Sequence, residues 1–241
     1  MLKENEKILD LERRGLSLIQ DTTGYAFTMD AVLLSDFARA NAKHSVVELG
    51  AGSGVISILL SYKTNAKKIV CVELQDRLAD MAARSIALNN LQDRISVHHG
   101  DMQTAHLALG SGTFDVAVSN PPYMTYEGDC NQATELDICK REVFVSLQGV
   151  TDSASRLLKF GGVFFVVIKG SRLADLMCAM RNSNIEPKRI VAVQPKSNKD
   201  IDTILVEGKK GGNPGMVFEK PLVVFNDDNT YTEELRRIYN K

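Results

Sequence analysis

From Ser45 onward the chain alternates short runs of β-branched and other apolar residues with stretches in which apolar residues return every three or four positions. The runs read as strands buried on both faces and the stretches as amphipathic helices. That alternation is the pattern of an α/β chain with a mostly parallel sheet, crossover helices on both faces and a Rossmann-like order. The spacing predicts strands over 45–49, 68–73, 95–98, 114–119 and 163–169. Between them it predicts a helix carrying Val55, Ile58 and Leu59, and one in which Leu78, Met81, Ala82 and Ser85 follow i, i+3, i+4, i+7 until Asn89-Asn90 stops it. Residues 142–159 read as mostly helical, with Gly161-Gly162 turning the chain into the fifth strand, and Leu173, Leu176, Met177 and Met180 mark another helix.

After Pro187, the runs 189–193 and 202–207 suit a terminal antiparallel pair, which brings the expected sheet to seven strands. Apolar positions at 29, 33, 37 and 40 place a helix ahead of the first strand. Residues 222–225 and 231–239 read as a short strand and a closing helix. The expected organisation is one domain over 1–241: a cap over 1–44, a catalytic sheet over 45–208 and an extension over 209–241. No internal repeat or low-complexity linker interrupts it.

Composition agrees with a chain that buries a sizeable core: 44% of its 241 residues are hydrophobic, with 29 Lys and Arg against 30 Asp and Glu. No apolar run approaches the length of a membrane span, and the charged amino end lacks the apolar stretch of a secretory signal, so a cytoplasmic protein is expected. Cys71, Cys130, Cys139 and Cys178 form no C-x-x-C pair, and His44, His98, His99 and His106 form no metal-binding pattern. The cysteines read as reduced and mostly buried, and no metal is expected.

Chemistry concentrates at two turns. Glu48-Leu-Gly50-Ala51-Gly52-Ser-Gly54 stands where the first strand becomes the first crossover helix, the place where open α/β sheets bind nucleotides. Its G-x-G-x-G spacing departs from the dinucleotide form G-x-G-x-x-G, with Val55 where the third glycine would be. By itself such a loop fits a nicotinamide site, another nucleotide site or a plain tight turn. Glu73 closes the second strand where a carboxylate accepts both hydroxyls of a ribose, and Asp101, with Met102 after it, follows the third strand where an adenine amino group is met. Taken singly, these acids are equally well a solvated strand end and a turn-forming Asp. Glu48 either holds a cationic amine or is simply solvated. An adenosine pocket without a pyrophosphate fingerprint points to S-adenosylmethionine rather than NAD.

The second turn, Ser119-Asn120-Pro121-Pro122-Tyr123, ends the fourth strand. Two prolines make a stiff turn whatever its purpose, but a turn needs neither the Asn nor the aromatic. An exocyclic amine conjugated to a ring is a poor nucleophile. Acceptance of its two N–H groups by the Asn120 side-chain oxygen and the Pro121 carbonyl favours a pyramidal nitrogen, most strongly as positive charge grows there. Prolines fix both acceptors beforehand. Tyr123 is placed to stack on a base drawn out of its strand, a contact worth about 1 to 3 kcal/mol.

On these residues the chain resembles the class I S-adenosylmethionine-dependent methyltransferases that modify planar nitrogens. The resemblance extends over nearly the whole chain, through Gly24-Tyr-Ala-Phe-Thr-Met-Asp-Ala-Val-Leu-Leu34, Glu186-Pro-Lys-Arg189, Lys209-Lys-Gly-Gly-Asn-Pro-Gly215 and Tyr231-Thr-Glu-Glu, to the bacterial tRNA adenine-N6 methyltransferases acting on valine tRNA. It implies a class I methyltransferase fold, methyl transfer to N6 of an adenosine in tRNA next to the anticodon, S-adenosyl-L-methionine as cofactor, and no obligate protein partner. Asn120, Pro121, Pro122 and Tyr123 are then the catalytic set. Glu48, Gly50, Ala51, Gly52, Gly54, Glu73, Leu74, Asp101, Met102 and Asn120 are the cofactor contacts, with Asp30 closing over the methionine part. Asp30 reads equally well as a first-turn acid favoured by its helix dipole.

Charge lends the tRNA expectation little support. Glu127, Asp129, Glu135 and Asp137 crowd the segment after Tyr123 with no base before Lys140 and Arg141, and 186–220 holds seven basic residues against five acids. Rival readings are N5-methylation of a protein glutamine, guanine-N2 methylation of ribosomal RNA, DNA adenine methylation, a nicotinamide-dependent oxidoreductase and a binding module without catalysis. Some forty residues ahead of Ser45 are too few for the longer helical domain of the glutamine enzymes. The oxidoreductase lacks its third glycine.

Overall fold

The computed structural model describes residues 2–11, 15–23, 27–122, 134, 137–138 and 142–239. It begins with a two-stranded antiparallel hairpin, β1 (Glu6–Asp10) and β2 (Ser17–Asp21), before helix α1 (Met29–Phe37). Then follow β3 (Ser45–Leu49), α2 (Val55–Lys63), β4 (Lys68–Glu73), α3 (Asp76–Leu88), β5 (Ile95–His99), the short α4 (Ala105–Leu109) and β6 (Phe114–Ser119). After these come α5 (Leu147–Leu157), β7 (Leu158–Lys169), α6 (Leu173–Asn182), β8 (Ile185–Gln194), β9 (Thr203–Lys210), β10 (Val217–Phe218), β11 (Leu222–Val223) and α7 (Glu233–Tyr239).

Among the described residues the main sheet has nine strands in the order β10-β8-β9-β7-β6-β3-β4-β5, with β11 also on β8. Seven are the strands of the expected sheet, β11 falls within the short strand expected over 222–225, and β10 is new; both are two-residue strands on the β8 edge. The antiparallel element is β9, inserted between β7 and β8 and pairing with both. β3 is central: the chain leaves it first toward β4 and β5, then returns to its other side for β6 and β7. A crevice opens where strand order reverses, between the carboxyl ends of β3 and its neighbours.

Apolar side chains fill both faces. Val46, Ile69, Cys71, Val116, Val118 and Phe165 pack with α1, α2 and α7, while Val47, Val70, Val72, Ala117, Phe164 and Val166 pack with α5 and α6. A strand covered on both sides reads as an unbroken apolar run, which is why β3, β4, β6 and the core of β7 are visible in the sequence.

Several boundaries move, each for a local reason. α5 starts at 147 rather than 142 because Ser146 is its N-cap, its hydroxyl accepting from Gly149 N at 3.2 Å. Gly161-Gly162 does not separate helix from strand. β7 already begins at Leu158, and Gly161, at φ +78°, forms a bulge where pairing with β6 passes from Phe114–Leu158 to Val116–Val163. Pro187 lies inside β8, beside a register shift against β9. α1 ends at Phe37, three residues earlier than its apolar spacing reaches. Cys178 is exposed, against expectation, and Cys71 is buried; Cys130 and Cys139 lie outside the described residues.

The hairpin β1–β2 is the element the periodicity does not announce, since β1 is largely exposed and charged. Side chains of α3 hold it. Asn89, the residue capping α3, accepts from Ser17 N at 2.9 Å and donates to Ser17 O at 2.7 Å, standing in for a neighbouring strand, and Ser85 Oγ accepts from Ile19 N at 3.0 Å. Farther along, Arg84 forks onto Glu6 at 2.6 and 2.7 Å, and Arg77 pairs with Asp21. Asn89→Ala strands both backbone groups of a part-buried Ser17, a loss of about 1 to 3 kcal/mol. Hydrogen exchange is expected to show amides 17–21 opening roughly tenfold faster or more in that variant, with β3–β7 unchanged.

Candidate active site

The glycine loop is shaped by the strand beside it. Gly50 N and Ala51 N both donate to Val72 O, at 2.9 and 3.0 Å, which curls the chain over the end of β4. The curl demands positive φ at Gly50 (+72°) and Gly52 (+55°), where L side chains are strained. Gly54 (φ +84°) plays the part assigned to a third glycine: a Cβ there would stand 3.2 Å from Ala82 Cβ, so its bareness lets α2 approach α3.

Glu73 fixes the rim. It is 5% exposed; one carboxylate oxygen accepts from Gly52 N at 2.7 Å and the other from Gln75 N at 2.9 Å, so a single side chain ties the glycine loop to the β4–α3 turn. Asp101 Oδ1 accepts from Gln103 N at 2.8 Å in a turn leading to α4. At the end of β6, Ser119 Oγ donates to Leu49 O at 2.9 Å, so the Asn120-Pro121-Pro122 turn starts from a fixed point on β3.

These turns line one cavity. Its walls are Leu49, Gly50 and Gly52; Val72, Glu73, Leu74 and Gln75; Gly100, Asp101 and Met102; Asn120, Pro121 and Pro122; and Ile138, Phe144 and Val145. Nine of the residues singled out from the sequence meet there. Ala51 and Gly54 are buried within the loop, outside the lining. Asp30, in the first turn of α1, accepts from Thr28 Oγ1 at 3.3 Å and Thr203 Oγ1 at 3.5 Å and is not part of the wall. Tyr123 lies outside the described residues, as do Glu127, Asp129, Glu135, Lys140 and Arg141. Phe144 and Val145 were missed because their run was absorbed into the following helix; the Ser146 cap was the signal that set them apart.

Glu48 is not solvated. At 1% exposure it sits beneath the loop against the first turn of α2, where its carboxylate accepts from Ser57 N at 2.9 Å and from Ser57 Oγ. Burial pushes its pKa up to about 8, with a smaller contribution from Glu73, although the Ser57 hydrogen bonds oppose the rise. Burial likewise raises the Cys71 thiol.

The cavity thus offers carboxylate and carbonyl acceptors, and among the described residues lining it there is no Lys or Arg. Such a set suits ribose hydroxyls, an adenine amine and a cationic group; it gives nothing to neutralise a pyrophosphate. A model of the methyltransferase small domain matches residues 29–178. The chain belongs to the methyltransferase small domain family.

Curated relatives of this methyltransferase include the tRNA1(Val) (adenine(37)-N6)-methyltransferase of Phocaeicola vulgatus, 33% identical over 180 residues, 75% of each protein. The protein of the same name from Actinobacillus pleuropneumoniae serotype 7 is 24% identical over 230 residues, 92% of this chain and 91% of the relative. Among solved structures, protein Atu636 of Agrobacterium tumefaciens, described as a predicted O-methyltransferase, superposes with a TM-score of 0.72 at 21% identity, over 88% of this chain and 96% of that one. At that identity it is a likeness of fold.

S-adenosylmethionine is the cofactor this cavity fits, a cation with ribose hydroxyls, an adenine amine and no phosphate. It supplies a methyl group bound to a sulfonium.

Glu48 also gives the protein a pH signature. Its folded pKa lies above the ordinary carboxylate value, so the stability carried by the protonated form is complete below about pH 4.5 and is lost as pH rises through about 8. Glu48→Gln mimics the protonated form. In cofactor-free protein its Tm is expected to match wild type near pH 5 and exceed it by several degrees at pH 8.5, at about 2 to 4 °C per kcal/mol. A difference that does not grow with pH contradicts a neutral buried Glu48.

Proposed function

We propose that this chain transfers the methyl group of S-adenosylmethionine to the N6 amine of an adenosine in tRNA, next to the anticodon. The observation that carries the reading is that the Asn120-Pro-Pro turn opens into the same cavity as Glu73 and Asp101. An acceptor pair for an amine therefore adjoins an adenosine site. Support for the substrate comes from the relatives whose names specify adenine 37 of tRNA1(Val).

Glu73 takes the ribose hydroxyls, since each carboxylate oxygen keeps a lone pair beyond the backbone N–H it already accepts. Asp101 takes the adenine amine, Met102 meets the ring, and the exposed Leu74 covers it. Gly50 and Gly52 let the backbone come close to the cofactor. At the target, Asn120 Oδ1 and the Pro121 carbonyl accept the two N–H groups of the base, Pro122 stiffens their spacing, and Tyr123 stacks on the ring. Both acceptors gain strength as charge develops on nitrogen, so their contribution falls on turnover rather than on cofactor affinity. An adenosine in a loop is already unpaired and costs less to draw out than a duplex base.

Incubating the protein and S-adenosylmethionine with unmodified total tRNA, followed by nucleoside mass spectrometry, is expected to yield N6-methyladenosine. A methylated release-factor glutamine with no modified adenosine overturns the substrate. Asn120→Ala is expected to keep cofactor affinity within about threefold and to lose roughly 100-fold or more in turnover; a collapse of cofactor binding contradicts the role given to Asn120.

A further inference from the structure

The end of the sheet opposite the crevice carries a row of cations. Here β3, β4 and β7 begin and β9 finishes. Lys67 N donates to His44 O at 2.9 Å, which puts Lys67 beside Lys43 and the start of β3, and Lys68 pairs with Ser45. Ser45 N in turn donates to Asp115 Oδ2 at 2.9 Å, and Lys159 Nζ donates to Asp115 Oδ1 at 2.7 Å. Lys209 follows on β9, where a Cβ on Gly161 would stand 3.9 Å from its Cε. Lys43, Lys67, Lys68, Lys159 and Lys209 are all exposed. From β4 to β9 the row crosses four strand spacings, about 19 Å.

Part of the charge at this pole has a structural use. Helices α1, α2 and α5 end here, and the carboxyl ends of helices attract cations. Lys210 Nζ donates to Ser155 O at 2.5 Å and to Leu158 O at 2.8 Å, closing α5. Arg94 donates to Thr64 O and Ala66 O, both at 3.2 Å, beyond α2, and Lys63 pairs with Asp36. The nearby carboxylates are taken in the same way, Asp115 by Lys159 and Glu186 by Arg181 at 2.8 Å, with Asp93 left at the β5 end. Among the described residues the side chains of Lys43, Lys67, Lys68 and Lys209 enter no ion pair or hydrogen bond. Capping and pairing therefore account for Lys210, Arg94, Lys63 and Lys159 but not for these four.

An aromatic ring stands among them. Pairing of β7 with β6 passes from Leu158 to Val163, so Lys159-Phe160-Gly161-Gly162 lies outside that ladder, and Phe160 is 80% exposed. Its ring rests on Gly211, where a Cβ would come within 2.1 Å of it. Backbone braces the ring on one side, the other side is open, and lysines of β7 and β9 flank it. These are the parts of a nucleic-acid contact, cations for phosphates and a face for an unpaired base. We infer that this rim is a second contact for RNA, holding phosphates and one unpaired base of the tRNA whose adenosine enters the crevice. The two sites are separated by the length of β6, about 20 Å, a span that one folded RNA bridges. The inference rests on tRNA being the substrate. It gives a chain of net charge −1 with an acidic crevice a place to meet a polyanion.

The test sets two double variants of equal charge against each other. Lys67→Ala/Lys209→Ala removes cations toward the two ends of the row, and Lys7→Ala/Lys220→Ala removes two exposed lysines elsewhere. With unmodified tRNA and S-adenosylmethionine, the rim pair is expected to raise KM for tRNA about 5- to 20-fold. Its kcat and its affinity for S-adenosylhomocysteine should match wild type. Log KM should also depend less steeply on log salt, by roughly one for each lysine lost. Lys67→Arg/Lys209→Arg, which keeps the charge, and the control pair should both behave as wild type. Phe160→Ala, which removes the stacking face, is expected to raise KM about fivefold or more with an unchanged salt slope. Equal effects of the rim and control pairs, an unchanged salt slope in the rim pair, or a loss confined to kcat or cofactor affinity overturn the rim. Wild-type protein that methylates no tRNA overturns the substrate reading, whereas methylation that the rim variants leave unaffected overturns the rim alone.

Discussion

The carboxylate of Glu73 is the tie on which the site depends. It is the last residue of β4, so the sheet fixes its backbone, and from there it holds Gly52 N and Gln75 N at once. Without it Gly52 N would lose its acceptor, and the amino ends of α2 and α3 would lose their common reference. On the proposed reading, shape and recognition share one side chain: the group that organises the loop is also the one that takes the ribose.

A second consequence of this architecture is its charge. Glu48 and Glu73 are both nearly sealed from solvent, on neighbouring strands and in electrostatic contact, and the cavity lining described here carries no basic side chain. Two buried carboxylates cannot both ionise cheaply. Burial, with Glu73 nearby, raises the pKa of Glu48, and Glu73 accepts from the backbone N–H groups of Gly52 and Gln75. The resulting basin accepts a cation and repels phosphate, which is the physical reason a glycine loop of nucleotide-binding appearance belongs here to a methyltransferase.

How much of this was legible depended on where the stabilising contacts lie. Strands β3, β4, β6 and most of β7 declare themselves because a doubly covered strand needs an unbroken apolar run, and the acids at their ends are conspicuous for interrupting it. The hairpin was silent for the opposite reason: β1 is Glu-Lys-Ile-Leu-Asp, and what holds β2 is Asn89 and Ser85, some seventy residues away. Asn89 was read correctly as a stop signal, but its second use as a strand surrogate is not written locally. Gly161-Gly162 misled because a bulge and a turn ask for the same residue.

Near-neutral overall charge is also clearer in this light. On the proposed reading an RNA reaching the crevice meets acidic groups and, among the described lining residues, no Lys or Arg, which suits a base, uncharged and planar, between the Asn-Pro-Pro turn and the cofactor. On the proposed reading the phosphates must be met elsewhere on the surface and by few residues, which makes affinity only modestly salt-dependent. Discrimination then rests on whether an adenine can leave its stack and present two N–H groups to Asn120 and Pro121. Guanine and cytosine also carry an exocyclic NH2, so on this reading the acceptor pair selects an unstacked amino base, and the walls around the ring must select adenine.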